Sequence, residues 1–344
     1  MKAILTPPET PSEKIEGILK EALNGIRKFA LLKAAFKLGF FEHLKTPISA
    51  KELAERTRTS TVLVELALEA LIRMGLVQKE QHKFKLSQVG ETYLSESSFY
   101  SKTHTIFWTE WKAKLWLDLE RVFTGEHLSR GEINRFREII KVMAEDCICG
   151  HLQETVKIIS SYPEFSKAKK LLDLGGGHGL YAIAFSTLNP QLKCFVFDLP
   201  AVTNETKKYI EKYKAENVFV IEGDFFKDDI GTDYDIVFSS FNPGGKNPLI
   251  AEKIHRALKK GGLYINKQCF PTEKKKELSL EEIFENMEWN FFPFRAKKLK
   301  ELYTFQGDLN LKEYLQYLEE LGFEILDVYK LDKDDKMLVA KKIR

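Results

Sequence analysis

Apolar residues recur at helical spacing from Ile15 to about Leu44, through Ile26, Phe29, Leu32, Ala35 and Phe36, and Gly39 interrupts the run near its end. Residues 1–14, rich in Pro, Glu and Ser/Thr, read as a flexible arm. Further on, Ser49 is placed to cap a helix, with Glu52 as its capping-box partner. Ser60 and Thr61 open a second helix that ends at Gly75, and Leu76 to Lys79 with Lys83 to Leu86 predict a short hairpin. Helix, turn, helix and a two-stranded wing form a winged-helix pattern. Residues 100–168 predict more helices, with Phe107, Trp108, Trp111, Trp116, Phe123 and Phe136 expected mainly as bundle core. From Ala168 the period changes. LLDLG, CFVFDL, NVFVIEGD, YDIVFSS and GLYINKQCF read as strands separated by helical stretches, the rhythm of a parallel sheet. FEILDVYKL and KMLVAKKI then close the sheet as a hairpin. The predicted organisation is a winged-helix-like domain over 1–100, helices over 101–167 and an α/β domain over 168–344.

Composition narrows the partners. The chain of 344 residues suffices for two cores, and its 44% hydrophobic and 30% charged residues are those of an ordinary globular protein. A net charge of +3, from 53 basic and 50 acidic residues, gives no reason to expect nucleic acid or membrane as a partner. A winged helix still raises the question of DNA. Its second helix, however, offers Glu65 and Glu69 among Leu63, Leu66, Leu68 and Leu71, and such acids would be repelled by phosphates. A structural or dimer-forming module is the expectation. The four cysteines contain no C-x-x-C pair, which fits a reducing cytoplasm. The apolar run at the N-terminus is too short for a signal peptide, and Ala30 to Phe41 is interrupted by lysines, so no membrane span is expected.

The sharpest signal is Leu171-Leu-Asp-Leu-Gly-Gly-Gly-His-Gly179, which follows a strand and opens a helix. Gly175, Gly177 and Gly179 give G-x-G-x-G rather than the dinucleotide G-x-G-x-x-G, and no Lys-Ser/Thr pair makes a P-loop. Asp198 ends the next strand and can accept hydrogen bonds from both ribose hydroxyls. At the end of the third strand, Asp224 can accept from an adenine amino group while Phe225 or Phe226 covers the ring. Asp173, Leu199 and Ser239 complete the expected cofactor set. Sites at successive strand ends converge on the crevice where open α/β sheets bind ligands.

On these residues the chain resembles the small-molecule O-methyltransferases typified by plant phenolic and hydroxyindole enzymes and their microbial relatives. LLDLGGGHG is similar to their S-adenosylmethionine loop, FDLPAV to their ribose segment, IEGDFF to their adenine segment and ALKKGG to the turn before their fifth strand. LLKAAFKLGFFEHL and ISAKELAERT are similar to their dimerisation domain. The resemblance implies a Rossmann-like class I methyltransferase domain behind a mainly helical winged-helix dimerisation domain, with S-adenosylmethionine as cofactor. It also implies a cytoplasmic homodimer, in which each front domain helps to wall the partner's substrate pocket, and it places Met143 near the transferred methyl.

The chain departs from the family at the chemistry. O-methylating members carry a His-Asp-Trp after the fourth strand, whereas this chain has Ser239-Ser-Phe-Asn-Pro-Gly-Gly-Lys-Asn247, about four residues shorter and without histidine. Lys267 stands where those enzymes have Glu. A general base contributes about 10²–10⁴ in rate, whereas positioning supplies about 7–11 kcal/mol, so transfer to an O, S or N atom of a willing nucleophile remains open. Lys267 either pairs with an anionic substrate or depresses a nucleophile's pKa, or it turns to solvent at the strand end. Asn242 either orients a substrate or caps its loop, and His151 and His104 are the remaining base candidates. His178 is read as a cofactor contact or helix cap. Cys147 and His151 share a helical face that Cys149 does not, so no metal is expected. Met287 and Trp289, with residues 291–294, line an apolar substrate wall or fill core. The rival readings are a catalytically silent cofactor-binding scaffold and a ligand-sensing winged-helix regulator.

Overall fold

A computed structural model describes residues 8–124, 136–270, 278–291, 305, 307–332 and 334–344. Two units divide the chain, Met1–Leu115 and Trp116–Arg344.

In the first unit, helix α1 (Glu13–Lys37) ends where Gly39 takes φ +73°, and α2 (Phe40–His43) restarts in a new direction. The capping box forms as the sequence predicts: Ser49 accepts from the Glu52 amide, and the Glu52 carboxylate accepts from Ser49 N–H at 2.9 Å. Helices α3 (Ala50–Thr57) and α4 (Thr61–Arg73) are followed by the antiparallel wing, β1 (Val77–Glu80) and β2 (Lys83–Leu86). Val64, Leu68 and Leu71, spaced by four and three, turn the inner face of α4 onto Phe36, Phe41, Leu44 and Phe84. Glu65 and Glu69 remain outside. The aromatic cluster divides: Trp111 is buried, whereas Phe107 and Phe123 are exposed, and the side chain of Phe136 lies outside the described residues.

The second unit is a seven-stranded sheet in the order β5-β4-β3-β6-β7-β9-β8. Its strands are β3 (Lys170–Leu174), β4 (Lys193–Asp198), β5 (Val218–Glu222), β6 (Tyr234–Ser240), β7 (Leu258–Cys269), β8 (Phe323–Lys330) and β9 (Asp335–Lys342). The first five run parallel, and the closing hairpin pairs antiparallel with β7. Alternation along the strands splits the core in two. Ile236, Phe238, Leu263 and Ile265 face the helices Leu152–Ser160 and Leu180–Leu188. Leu172, Leu174, Val237 and Tyr264 face the helices Pro248–Ala257 and Leu311–Leu321. The Phe238 ring, fully buried, lies 4.9 Å from that of Tyr181 and 5.5 Å from that of Phe185, a burial worth about 1.5–3 kcal/mol.

Sequence order reverses beside β3, between β4 and β6, which opens a crevice at the carboxyl ends of these strands. The register brings Asp198 level with Glu222, Leu174 level with Ser239, and Ser240 level with Lys267. The predicted functional positions therefore share one end of the sheet. No helix among the described residues is long and apolar enough to cross a membrane.

Candidate active site

The glycine loop leaves β3 with Gly175, Gly177 and Gly179 all at positive φ. Space demands glycine as well. A Cβ on Gly176 would lie 2.6 Å from the Asp173 carboxylate and 2.8 Å from Val196, and one on Gly179, at φ +71°, would lie 2.9 Å from Thr206. The loop is locked to the next strand. Asp198 accepts from Gly177 N–H at 2.8 Å and from Leu199 N–H at 2.7 Å, one bond on each carboxylate oxygen. Each oxygen keeps a second lone pair for a ligand hydroxyl. Thr206, which sequence reading missed, donates its hydroxyl to the Gly177 carbonyl. Nothing local in the sequence marks it, because its partner lies 29 residues away.

Asp224 accepts from Phe226 N–H at 3.1 Å and pairs with Lys227 at 3.1 Å. The Phe225 and Phe226 rings lie 4.9 Å apart; Phe226 and Leu199 are exposed. Ser239 is buried, and its hydroxyl accepts from Asn242 at 2.8 Å. The Asn242 amide also donates to the Leu174 carbonyl and accepts from Gly244 N–H. Both amide hydrogens are thus engaged in the loop, the capping alternative of the two expected for Asn242. Gln268 donates to the Asn242 carbonyl at 2.8 Å and Asn266 to the Gly245 carbonyl, so the short segment after β6 is stapled to β7.

Asp173 lies beneath the loop, 1% exposed, with Oδ2 unpartnered. Burial, with the Asp198 charge adding to it, pushes its carboxyl up to about 8. The folded protein therefore holds this proton to about pH 8, whereas an unfolded Asp releases it near ~3.9. Stability contributed by the neutral acid is complete below the lower value and is lost as pH rises through the upper one. Asp173→Asn should narrow the gap in urea midpoint between about pH 5 and about pH 8. An unchanged gap would mean that Asp173 is ionised in the folded state throughout. His178 is buried, accepts from Leu180 N–H at 3.1 Å, and is held down to about 4 by desolvation, so it caps the helix as a neutral imidazole.

The expected continuous helix through Cys147 does not form. A π-turn, Cys147–His151, with Gly150 at φ +130°, breaks the chain between the helices Phe136–Asp146 and Leu152–Ser160. Cys147 is consequently buried, its thiol raised to about 11 by desolvation, while His151 is exposed and does not share its face. Among the described residues no three His, Cys, Asp or Glu side chains gather to hold a metal ion. His104 belongs to the first unit, where it is half-buried. Met143 is exposed, Met287 is half-buried, and the side chain of Trp289 and residues 292–294 lie outside the described residues.

Lys267 overturns the solvent-facing alternative. It is 3% exposed, with Nζ donating to Thr155 Oγ1 at 3.2 Å and to Tyr181 Oη at 3.4 Å. The rings of Phe241 and Tyr181 lie 5.4 and 5.9 Å from Nζ. Asp335, at the start of β9, is within electrostatic reach of both Lys267 and His151. Sequence reading missed it, because only the antiparallel register of β7 and β9 brings it there.

A parallel sheet with this order, a glycine loop fused to an acidic strand end and a second acid one strand further define a Rossmann-like methyltransferase domain. Residues 138–286 match the O-methyltransferase domain family, and residues 20–96 match the O-methyltransferase dimerisation domain. The chain belongs to the O-methyltransferase family, enzymes that use S-adenosylmethionine on small molecules. An uncharacterized protein of Methanocaldococcus jannaschii is 47% identical over 332 residues, covering 94% of this chain and 88% of the relative. Acetylserotonin O-methyltransferase of Bos taurus is 25% identical, covering 63% of this chain and 69% of its own. The crystal structure of human N-acetylserotonin methyltransferase in complex with S-adenosylmethionine shares the fold at a TM-score of 0.69 and 18% identity, covering 98% of this chain and 100% of that one.

Proposed function

We propose that this protein transfers the methyl group of S-adenosylmethionine to an O, S or N atom of a small organic molecule. The observation that carries this reading is the fusion of Asp198 to the glycine loop at the sheet's switch point. Asp198 holds the ribose, Asp224 the adenine amino group with Phe225 and Phe226 against the ring, and the backbone from Gly175 to Gly179 the methionine part. The residues fit the group: a Cβ on Gly177 would meet nothing nearer than Ile140 at 3.9 Å, so the loop leaves room above it. When bound, S-adenosylmethionine supplies a methyl group activated by its sulfonium. Met143 and Met287 stand on the apolar side of the acceptor pocket.

The working unit is a homodimer. Ile15, Ile18, Leu19, Leu23 and Ile26 are exposed along α1, and Val62, Leu63 and Leu66 along α4. Apolar faces of this kind are covered by a partner in soluble proteins, and here the partner is a second copy.

Calorimetric titration with S-adenosylhomocysteine tests the cofactor reading. Micromolar binding at about one per chain is expected, near −8 kcal/mol. No detectable heat would leave the glycine loop without its ligand and end the reading. Binding without methyl transfer to any of a panel of phenols, thiols, amines and acids would instead mark a silent scaffold, which the histidine-free loop after β6 favours. The acidic outer face of α4 speaks against a DNA-binding regulator.

A further inference from the structure

The segment after β6 carries no histidine, and its Asn242 amide is engaged in the loop, yet an amine stands at the same level of the neighbouring strand. Ser240 at the end of β6 pairs in register with Lys267, whose carbonyl also accepts from Phe241 N–H at 2.8 Å. We propose that the Lys267 amine takes the proton from the acceptor molecule, the task of the missing histidine; this rests on the methyltransferase reading above.

The surroundings of Nζ decide which form of the amine the fold holds. Thr155 comes from the helix Leu152–Ser160, Tyr181 from the helix Leu180–Leu188 and Cys147 from the π-turn, and all three offer neutral groups. Among the described residues no carboxylate lies within ion-pair distance of Nζ; Asp335 on β9 and Glu154 act only from further away. A buried ion without a paired charge costs several kcal/mol. Hydrogen bonds to a charged group return about 1.5–3 kcal/mol each at ordinary length, but these two are stretched to 3.2 and 3.4 Å, and both ring centres lie more than 5 Å away. Desolvation therefore wins, and burial holds Lys267 below the ordinary lysine value.

In its neutral form the amine carries a lone pair, and its hydroxyl neighbours orient it. In the step, the acceptor X–H bond breaks and its proton goes to Nζ. The electron pair left on X forms the bond to the methyl carbon as the methyl–sulfur bond breaks, that pair staying on sulfur. The site then holds one positive charge before and after: the ammonium appears as the sulfonium is consumed. Phe241 covers the amine on the side of the loop, and it holds φ +49°, a conformation that bulky side chains adopt only under constraint.

The test reads the amine directly. Protein labelled at the lysine ε-carbons and loaded with S-adenosylhomocysteine is titrated by NMR beside Lys267→Met. One signal, absent in the variant, should titrate below the ordinary ~10.4. Lys267→Arg keeps the charge, the stem and the donors but cannot take up a proton. It should bind S-adenosylhomocysteine unchanged and lose about 10²–10⁴-fold in methyl transfer, together with the alkaline rise of the pH profile. A Lys267 that stays charged beyond pH ~10, or an arginine variant with the rate and pH profile of the wild type, overturns the proposal alone. Failure to bind S-adenosylhomocysteine overturns the cofactor reading and the proposal with it.

Discussion

Asp198→Ala should weaken S-adenosylhomocysteine binding by about 10²–10⁴-fold, since each lost hydrogen bond to the carboxylate is worth about 1.5–3 kcal/mol and the ribose presents two hydroxyls. The substitution has a second effect. It leaves Gly177 N–H and Leu199 N–H without their acceptor, so the loop loses its link to β4. Asp198→Asn separates the two effects, because one amide oxygen can still accept from Gly177 while the charge is gone. We expect it to lose less than alanine does, since a bond to a neutral amide oxygen is still worth about 0.5–1.5 kcal/mol against about 1.5–3 for one to the carboxylate. Calorimetry gives the affinities, and sedimentation should show an unchanged oligomeric state, since Asp198 lies in the second unit and the residues that match the dimerisation domain lie in the first. Unchanged affinity in the alanine variant would remove the ribose from Asp198 and, with it, the placement of the whole ligand.

Much of this site was legible before any coordinates, and the reason is locality. Period-two and period-3.6 patterns separate strands from helices within a few residues. The loop from Gly175 to Gly179 is a backbone requirement met by its own residues, and strand ends such as Asp198 and Asp224 follow from the strands. The capping box at Ser49 and Glu52 was legible for the same reason. What escaped depends on register and on contacts across the sheet. Nothing local decides between Lys267 as a functional cation and as an exposed strand end until β9 pairs against β7 and the helix bearing Tyr181 closes over it. Cys147 and His151 share a helical face only if the helix continues, and the π-turn at Gly150 is not written in any periodicity. Thr206 and Asp335 look like ordinary polar surface residues, because their partners are remote in sequence. In each case the surrounding fold, not the side chain, supplies the chemical character.

The same holds for a pair that nothing in the sequence announced. Lys246, in the segment after β6, and Asp308, just before the helix Leu311–Leu321, face each other at 3.6 Å with side chains only 4% and 1% exposed. Asp308 also accepts from Phe305 N–H at 2.9 Å, and Leu309 N–H donates to the Lys246 carbonyl at 3.1 Å. This pair anchors the loop carrying Asn242 to the last described helix. Burial raises the Asp308 carboxyl despite the lysine, and its Oδ1 has no partner. Lys246→Met should therefore cost about 3–5 kcal/mol, the usual result of removing one member of a buried pair. Its dependence on pH has a definite sign. Without the ammonium the folded carboxyl rises further above its unfolded value, so the deficit is smallest in acid and grows as pH rises through the shifted value. Replacing both members, Lys246→Met with Asp308→Leu, should recover most of the loss, because an apolar pair of similar volume needs no desolvation of charge. Urea unfolding of the two variants beside the wild type measures this. A single variant within about 0.5 kcal/mol of the wild type would mean that water reaches the pair. A double variant no better than the single one would mean that the charges are needed to set the position of the loop, and S-adenosylhomocysteine affinity should then fall with stability, since Asn242 holds the loop against the end of β3.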